Sequence, residues 1–126
     1  MEIILSALLI IFLDQISKYF VIKNNPSVYI NRGIMFGLFK DNQYAGWLYT
    51  AAWISVSSYL YVEYGLNNFS LGLIIGGTVS NKIDRFTVGG AIDWINLWGP
   101  IRRYNFADIG IATGLIIWLA KLVTMI

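Results

Sequence analysis

Apolar residues fall along the chain in four long runs, and polar residues gather between them. The first run covers about Ile3 to Ile22, the second about Gly46 to Val62, the third about Phe69 to Arg85 and the fourth about Asn105 to Ile126. Runs of roughly 17–25 mainly apolar residues are what an α-helix needs to cross a hydrocarbon core. The first connection carries turn formers (Asn24-Asn25-Pro26, Gly33, Asp41-Asn42), and Val28 to Asn31 within it reads as extended. Glu63 to Asn68 is a short polar turn. The third connection sets Ala91-Ile92-Asp93-Trp94-Ile95 between Gly89-Gly90 and Gly99-Pro100. Such punctuation predicts a short strand or hairpin at the membrane interface. The pattern therefore predicts a mainly α, integral membrane four-helix bundle, with residues 1–126 forming one membrane domain.

Small residues recur every four positions at Gly72, Gly76 and Ser80 in the third run, and at Gly110 and Gly114 in the fourth. That spacing lets helix backbones approach where lipid supplies no hydrophobic drive for association. Composition agrees with a membrane solvent. Hydrophobic residues make up 57% of the chain and charged residues 13%, with a mean hydropathy of +0.63. A soluble domain carries about twice that charged fraction. The first run follows Met1-Glu2 without a basic leader and is interrupted by Asp14 and Lys18, so it reads as a retained span rather than a cleaved signal peptide. The net charge of +2 comes from scattered basic residues and leaves no footprint for nucleic acid.

Two absences narrow the chemistry. The chain has no cysteine, which removes disulfides, thiol nucleophiles and sulfur metal sites. It has no histidine either, which removes Ser-His-Asp and Cys-His catalysis and histidine metal sites. Acid–base work falls to Asp, Glu, Lys, Arg or Tyr.

A charge inside a span costs about 2.5–3.5 kcal/mol on insertion scales, so each one asks for a reason. Asp14 and Lys18 are four apart on one helix face. They read either as a self-neutralising pair near the end of a span, with Lys18 reaching to the interface, or as part of a site. Asn81, Asp84 and Arg85 share a face at the end of the third span, where an Asp–Arg pair would cap the exit. Asn105 and Asp108 share the first turn of the fourth, where a carboxylate also suits the helix dipole. Asp93 stands in an apolar stretch beside the membrane with no Lys or Arg near it in sequence. Two carboxylates brought together share a proton, because like charges a few ångströms apart do not both ionise. One then serves as base towards water and the other as acid towards a carbonyl, which hydrolyses an amide without histidine. Asp93 and Asp108 flank one connection, so their meeting is easy to arrange.

These residues, in this order, resemble signal peptidase II, the lipoprotein signal peptidase. Asp14-Gln15-Ile16-Ser17-Lys18 is similar to the family's Asp-Gln-x-Ser/Thr-Lys, and Asn31-Arg32-Gly33-Ile34-Met35-Phe36 to its Asn-x-Gly-x-x-Phe. Gly76 to Arg85 resembles Gly-Gly-x-x-Gly-Asn-x-x-Asp-Arg, with Ser80 in place of a glycine. Ala91-Ile92-Asp93-Trp94 resembles Val-x-Asp-Phe, and Tyr104 to Asp108 resembles Phe-Asn-x-Ala-Asp.

The resemblance implies a four-helix membrane aspartyl protease with a small interfacial β-platform, reduced here because the connections are compact. It implies Asp93 and Asp108 as the catalytic dyad, with Asn81 and Asn105 orienting them. Asn31, Gly33 and Arg85 would hold the signal-peptide backbone, and Asp14 and Lys18 would support the core and the lipid-binding cleft. Neither cofactor nor metal is expected. The expected partners are diacylglyceryl-modified prolipoprotein signal peptides and membrane lipid, met by a monomer. The implied place is the bacterial cytoplasmic (inner) membrane, multi-pass, with both termini cytoplasmic and the active site towards the outer face. Lys23, Arg32, Lys40, Arg102 and Arg103 oppose that orientation by the positive-inside rule, unless Arg32, Arg102 and Arg103 meet headgroups or substrate. The alternatives are a small transporter, which would use one exchangeable mid-span acid such as Asp14, and a non-catalytic relative.

Overall fold

A computed structural model of the chain describes residues 1–34, 37–96 and 103–124. Met35-Phe36 of the second motif, Gly99-Pro100 of the third connection, and Arg102 lie outside the described residues. The elements run α1 (Glu2–Asn24), β1 (Ile30–Asn31), α2 (Gln43–Glu63), α3 (Asn68–Thr87), β2 (Ala91–Ile92), β3 (Ile95–Asn96), β4 (Arg103–Tyr104) and α4 (Phe106–Thr124). The chain is mainly helical with small antiparallel strands, the expected class.

Capping decides where these helices begin, which hydropathy does not report. The Asn42 side chain accepts from the amides of Tyr44 (3.0 Å) and Ala45 (3.2 Å), so α2 starts three residues ahead of the apolar run. Asn67 accepts from the Ser70 amide at 3.2 Å and starts α3.

The bundle is apolar outside and polar within. α1 buries Ser6, Ile10, Asp14 and Lys18, one residue every fourth position. It leaves Leu5, Leu8, Leu9, Phe12, Leu13 and Phe20 exposed. α1 and α4 are long and apolar enough to cross a membrane by length and composition. α3 is the central helix, packed against α1, α2 and α4, whereas α2 rests chiefly on α3. An apolar cluster of Leu66, Leu71, Ile74 and Ile111 joins the α2–α3 turn to α4.

Two glycines of α3 fix how closely its neighbours come. A Cβ at Gly76 would lie 2.6 Å from the Ala7 carbonyl oxygen of α1, and one at Gly77 2.6 Å from the Ala107 carbonyl oxygen of α4. Both obstacles are backbone and do not swing aside, so the small residues set the two main helix seams. In α4, a Cβ at Gly114 would meet the Ser70 carbonyl oxygen at 2.9 Å, and one at Gly110 the Ile10 side chain at 2.5 Å.

The interfacial strands form two separate pairs. β1 runs antiparallel to β2 with Ile30 opposite Ile92 and Asn31 opposite Ala91. β3 pairs with β4, Ile95 opposite Tyr104 and Asn96 opposite Arg103. These pairs place Asp93 between β2 and β3, directly over the start of α4.

Candidate active site

Lys18 lies at the centre of the polar interior. Its ammonium is 2.5 Å from Asp14 Oδ2 and 2.5 Å from Asp84 Oδ2, and all three side chains are buried. Its remaining donor reaches Asn81 Oδ1 at 3.3 Å. The two carboxylates are satisfied in turn. Asp14 accepts from Ser80 Oγ (2.5 Å) and from the Ala107 amide (2.9 Å), and Asp84 accepts from Gln15 Nε2 (3.0 Å) and from the Ile92 amide (3.1 Å). One cation thus ties α1 and α3 to β2 and to the first turn of α4.

This corrects two of the simpler readings of the sequence. Lys18 does not reach the interface, being only 1% exposed. Asp84 caps no exit with Arg85; the nearest cation to it is Lys18 from another helix. Asp14 is fully enclosed and absent from the cavity described below, which leaves the exchangeable-acid role without support.

The network hands its orientation to the candidate dyad. Because Asn81 Oδ1 faces an ammonium, its amide cannot be flipped, and Nδ2 donates to Asp108 Oδ1 at 3.0 Å. Asn105 Nδ2 donates to Asn81 Oδ1 (2.8 Å), to Asp93 Oδ1 (2.9 Å) and to the Ile92 carbonyl (3.3 Å). Asn105 and Asp108 also form a reciprocal helix cap. The Asp108 amide donates to Asn105 Oδ1 at 2.9 Å and the Asn105 amide donates to Asp108 Oδ2 at 3.1 Å. The spacing is that of a capping box, with Asp in the place usually held by Glu or Gln. Asp108 is therefore both a helix-start residue and a neighbour of Asp93 through a single asparagine.

Asp93 is buried between strands, with its amide donating to the Tyr29 carbonyl at 3.2 Å. Burial pushes its carboxyl up to about 7, and the charge of Asp108 adds to the shift, while Asn31, Lys18 and Arg85 pull the other way.

Both carboxylates line one cavity of about 390 Å³. Asn31, Asn81, Arg85 and Arg103 make its polar part, and Trp53, Ile111 and Leu115 are among its apolar lining. Asn31 and Arg85 also shape the adjoining loop. Asn31 Nδ2 donates to the Ile34 carbonyl (2.8 Å), its Oδ1 accepts from the Gly33 amide (2.9 Å), and Arg85 Nη2 donates to the Gly33 carbonyl (2.9 Å). A Cβ at Gly33 would meet the Gly37 backbone at 2.7 Å, so only glycine admits this loop closure. Among the described residues, no group of three His, Cys, Asp or Glu is placed to hold a metal ion.

Sequence reasoning missed three contributors. Gln15 lies in a quoted motif without a role, yet a mid-span amide is itself costly, which was the available signal. Ser80 is more than a small residue at a helix seam, since its hydroxyl bonds Asp14. Tyr49 of α2 lines the cavity with no sequence signal to mark it.

Comparison with known proteins agrees with the motif order. A family model described as signal peptidase (SPase) II matches residues 6–124. A lipoprotein signal peptidase of Moorella thermoacetica is 34% identical, the match covering 93% of this chain and 89% of the relative. One of Shouchella clausii is 27% identical over 92% and 89%. Two solved structures share the fold. A bacterial membrane enzyme at 2.3 Å resolution has a TM-score of 0.77 at 21% identity, covering 97% of this chain and 87% of that one. Another, at 1.9 Å resolution, has a TM-score of 0.74 at 20% identity over 95% and 91%.

Removing the central cation tests the network directly. Lys18→Met leaves Asp14 and Asp84 as buried, unpaired carboxylates, and breaking such an arrangement costs about 3–5 kcal/mol. Thermal unfolding in detergent should show a large fall in Tm; an unchanged Tm would rule out the triad as the organising contact.

Proposed function

The chain belongs to the signal peptidase II family, and from that premise we propose that it is an aspartic endopeptidase using Asp93 and Asp108. It is a membrane peptidase of the kind that processes prolipoproteins. The proposed cut is the peptide bond before the diacylglyceryl-modified cysteine, releasing the signal peptide. One observation carries the catalytic assignment: Asn105 hydrogen-bonds both carboxylates, and both face the same cavity.

The division of labour follows from the donors. Asp108 receives an N–H on each oxygen, from Asn81 and from Asn105, and is the member that remains a carboxylate. Asp93 receives an N–H from Asn105 on Oδ1, and its burial, which pushes the carboxyl up to about 7, makes it the member that carries the proton. Asp108 takes a proton from water as its oxygen attacks the scissile carbonyl carbon, and Asp93 gives its proton to the carbonyl oxygen. As the resulting tetrahedral diol collapses, one hydroxyl returns its proton to Asp93, the C–N bond breaks, and the leaving nitrogen takes up the proton gained by Asp108, which restores both groups. Asn31 and Arg85, at the cavity wall, are suited to bond the substrate backbone.

We also infer that both termini are cytoplasmic and the dyad lies at the outer face. One of the basic residues that oppose this orientation is paired within the chain, Arg32 with Asp41 at 2.8 Å.

Asp93→Asn and Asp108→Asn should each lower cleavage of a diacylglyceryl-modified prolipoprotein by about 10³-fold or more, as expected for residues acting as one unit. Retained cleavage in both purified variants would end the dyad assignment. The pH profile has a fixed sign. Asp93 holds its proton below about 7 and loses it above, so kcat/KM should fall on the alkaline side, approaching tenfold per pH unit. A rate that climbs from pH 7 to 9 would contradict Asp93 as the acid. For orientation, the chain has no native cysteine, so Lys40→Cys offers a single label site. An impermeant maleimide should react from outside intact cells, and labelling from the cytoplasmic side alone would reverse the topology.

A further inference from the structure

Two guanidinium groups line the catalytic cavity, and the structure treats them differently. Arg85 is engaged by the chain itself, with hydrogen bonds to the carbonyls of Gly33 (2.9 Å) and Asn81 (3.4 Å). Arg103 is not. Among the described residues the ion pairs are Lys18 with Asp14, Lys18 with Asp84, and Arg32 with Asp41, so no carboxylate lies within ion-pair distance of Arg103. The residues outside the described set include no Asp or Glu.

What holds Arg103 is an aromatic face. Its guanidinium carbon sits 4.3 Å from the centre of the Tyr29 ring. An aromatic face attracts a cation without neutralising it and leaves guanidinium N–H groups open to a carboxylate, which they bind in a bidentate fork. Its position relative to the dyad is fixed twice over. Tyr29 accepts the Asp93 amide through its carbonyl, and Arg103 pairs with Asn96 across the β3–β4 ladder.

We propose that Arg103 is a specificity-determining residue that selects an acidic side chain in the mature segment just after the lipidated cysteine. This rests on the peptidase reading above. Arg103 belongs to β4, in the connection before α4; on the peptidase reading an apolar signal peptide lies along the bundle and the mature chain leaves on the side of that connection. Arg103 and both aspartates line the same cavity of about 390 Å³, so a chain held at the dyad passes the guanidinium within that one space. The dyad's negative charge favours a basic residue and Arg103 an acidic one, so the choice rests on direct contact: a carboxylate gains the bidentate, charge-assisted fork of Arg103, which neither an amide nor an ammonium forms.

The test uses the full-length chain in phosphatidylcholine nanodiscs. Its substrates are three diacylglyceryl-modified peptides that differ only in Asp, Asn or Lys after the cysteine. A charge-assisted pair at a partly exposed site should favour Asp over Asn by about tenfold in kcat/KM, mostly through KM, and over Lys as well. In Arg103→Gln the Asp-to-Asn ratio should drop to about one, and in Arg103→Glu the order should turn towards Lys. Equal wild-type values for the three peptides, or a preference that survives in Arg103→Gln, would overturn the proposal. The wild-type series decides even if a variant fails to fold. Adding phosphatidylglycerol separates the other source of anion. If Arg103→Gln changes only the response to anionic lipid, equally for all three peptides, the guanidinium reads a phosphate and the proposal falls. If the wild-type chain cleaves none of the peptides, the peptidase reading fails, and the order of their Kd values then decides the role of Arg103 alone.

Discussion

The structure depends on one buried ammonium. Lys18 sits between Asp14 and Asp84, and each of those carboxylates extends the arrangement to a backbone amide on another element. Ala107 is fixed through Asp14, and Ile92 through Asp84. These two residues are the immediate neighbours of Asp108 and Asp93. In a low-dielectric interior such charges are tolerated only when every donor and acceptor is occupied. Here the ammonium's three donors have partners, and so do both carboxylates. The same cation sets the sense of the Asn81 amide, and through it the direction in which Asn105 donates. The proposed dyad thus takes its geometry from a contact buried outside the cavity.

This arrangement inverts the solvent logic of a soluble enzyme. Leucines and phenylalanines of α1 turn outward while Ser6, Asp14 and Lys18 turn inward. Lipid gives helices no apolar reason to associate, so the seams rely on close backbone approach at glycines and on polar bonds between helices. The same bonds then serve as the scaffold of the site. Lacking histidine, the chain would, on the proposed reading, draw its acid and its base from two carboxyl groups in different surroundings, one within a helix cap and one between strands.

Legibility in the sequence followed the range of the interaction. The four helices and the polar connections could be read from apolar runs, because bilayer thickness imposes a length on each span. The starts of α2 and α3 could not, since one Asn42 or Asn67 side chain shifts a boundary that hydropathy averages over. Asp14 and Lys18 were visible as an i, i+4 pair, but Asp84 was assigned to its sequence neighbour Arg85 instead. Spacing within a helix reveals which residues share a face, not which face of another helix it meets. The nearness of Asp93 to Asp108 was suggested by the short connection between them. The resemblance implied Asn105 as an orienting residue, but its simultaneous bonds to both carboxylates, and the Ser80 hydroxyl on Asp14, needed three-dimensional packing to emerge.

The reciprocal cap between Asn105 and Asp108 has an evolutionary corollary. The carboxylate that would activate water also begins α4, and the asparagine that orients Asp93 also receives the third amide of that helix. Even an isosteric asparagine at position 108 would face two donors with one acceptor oxygen. On the proposed reading, substitution there disturbs the start of α4 and the chemistry together, so selection cannot adjust one without the other. An inhibitor anchored on these atoms would therefore meet a target with few escape routes, because a resistant chain must still start its last helix.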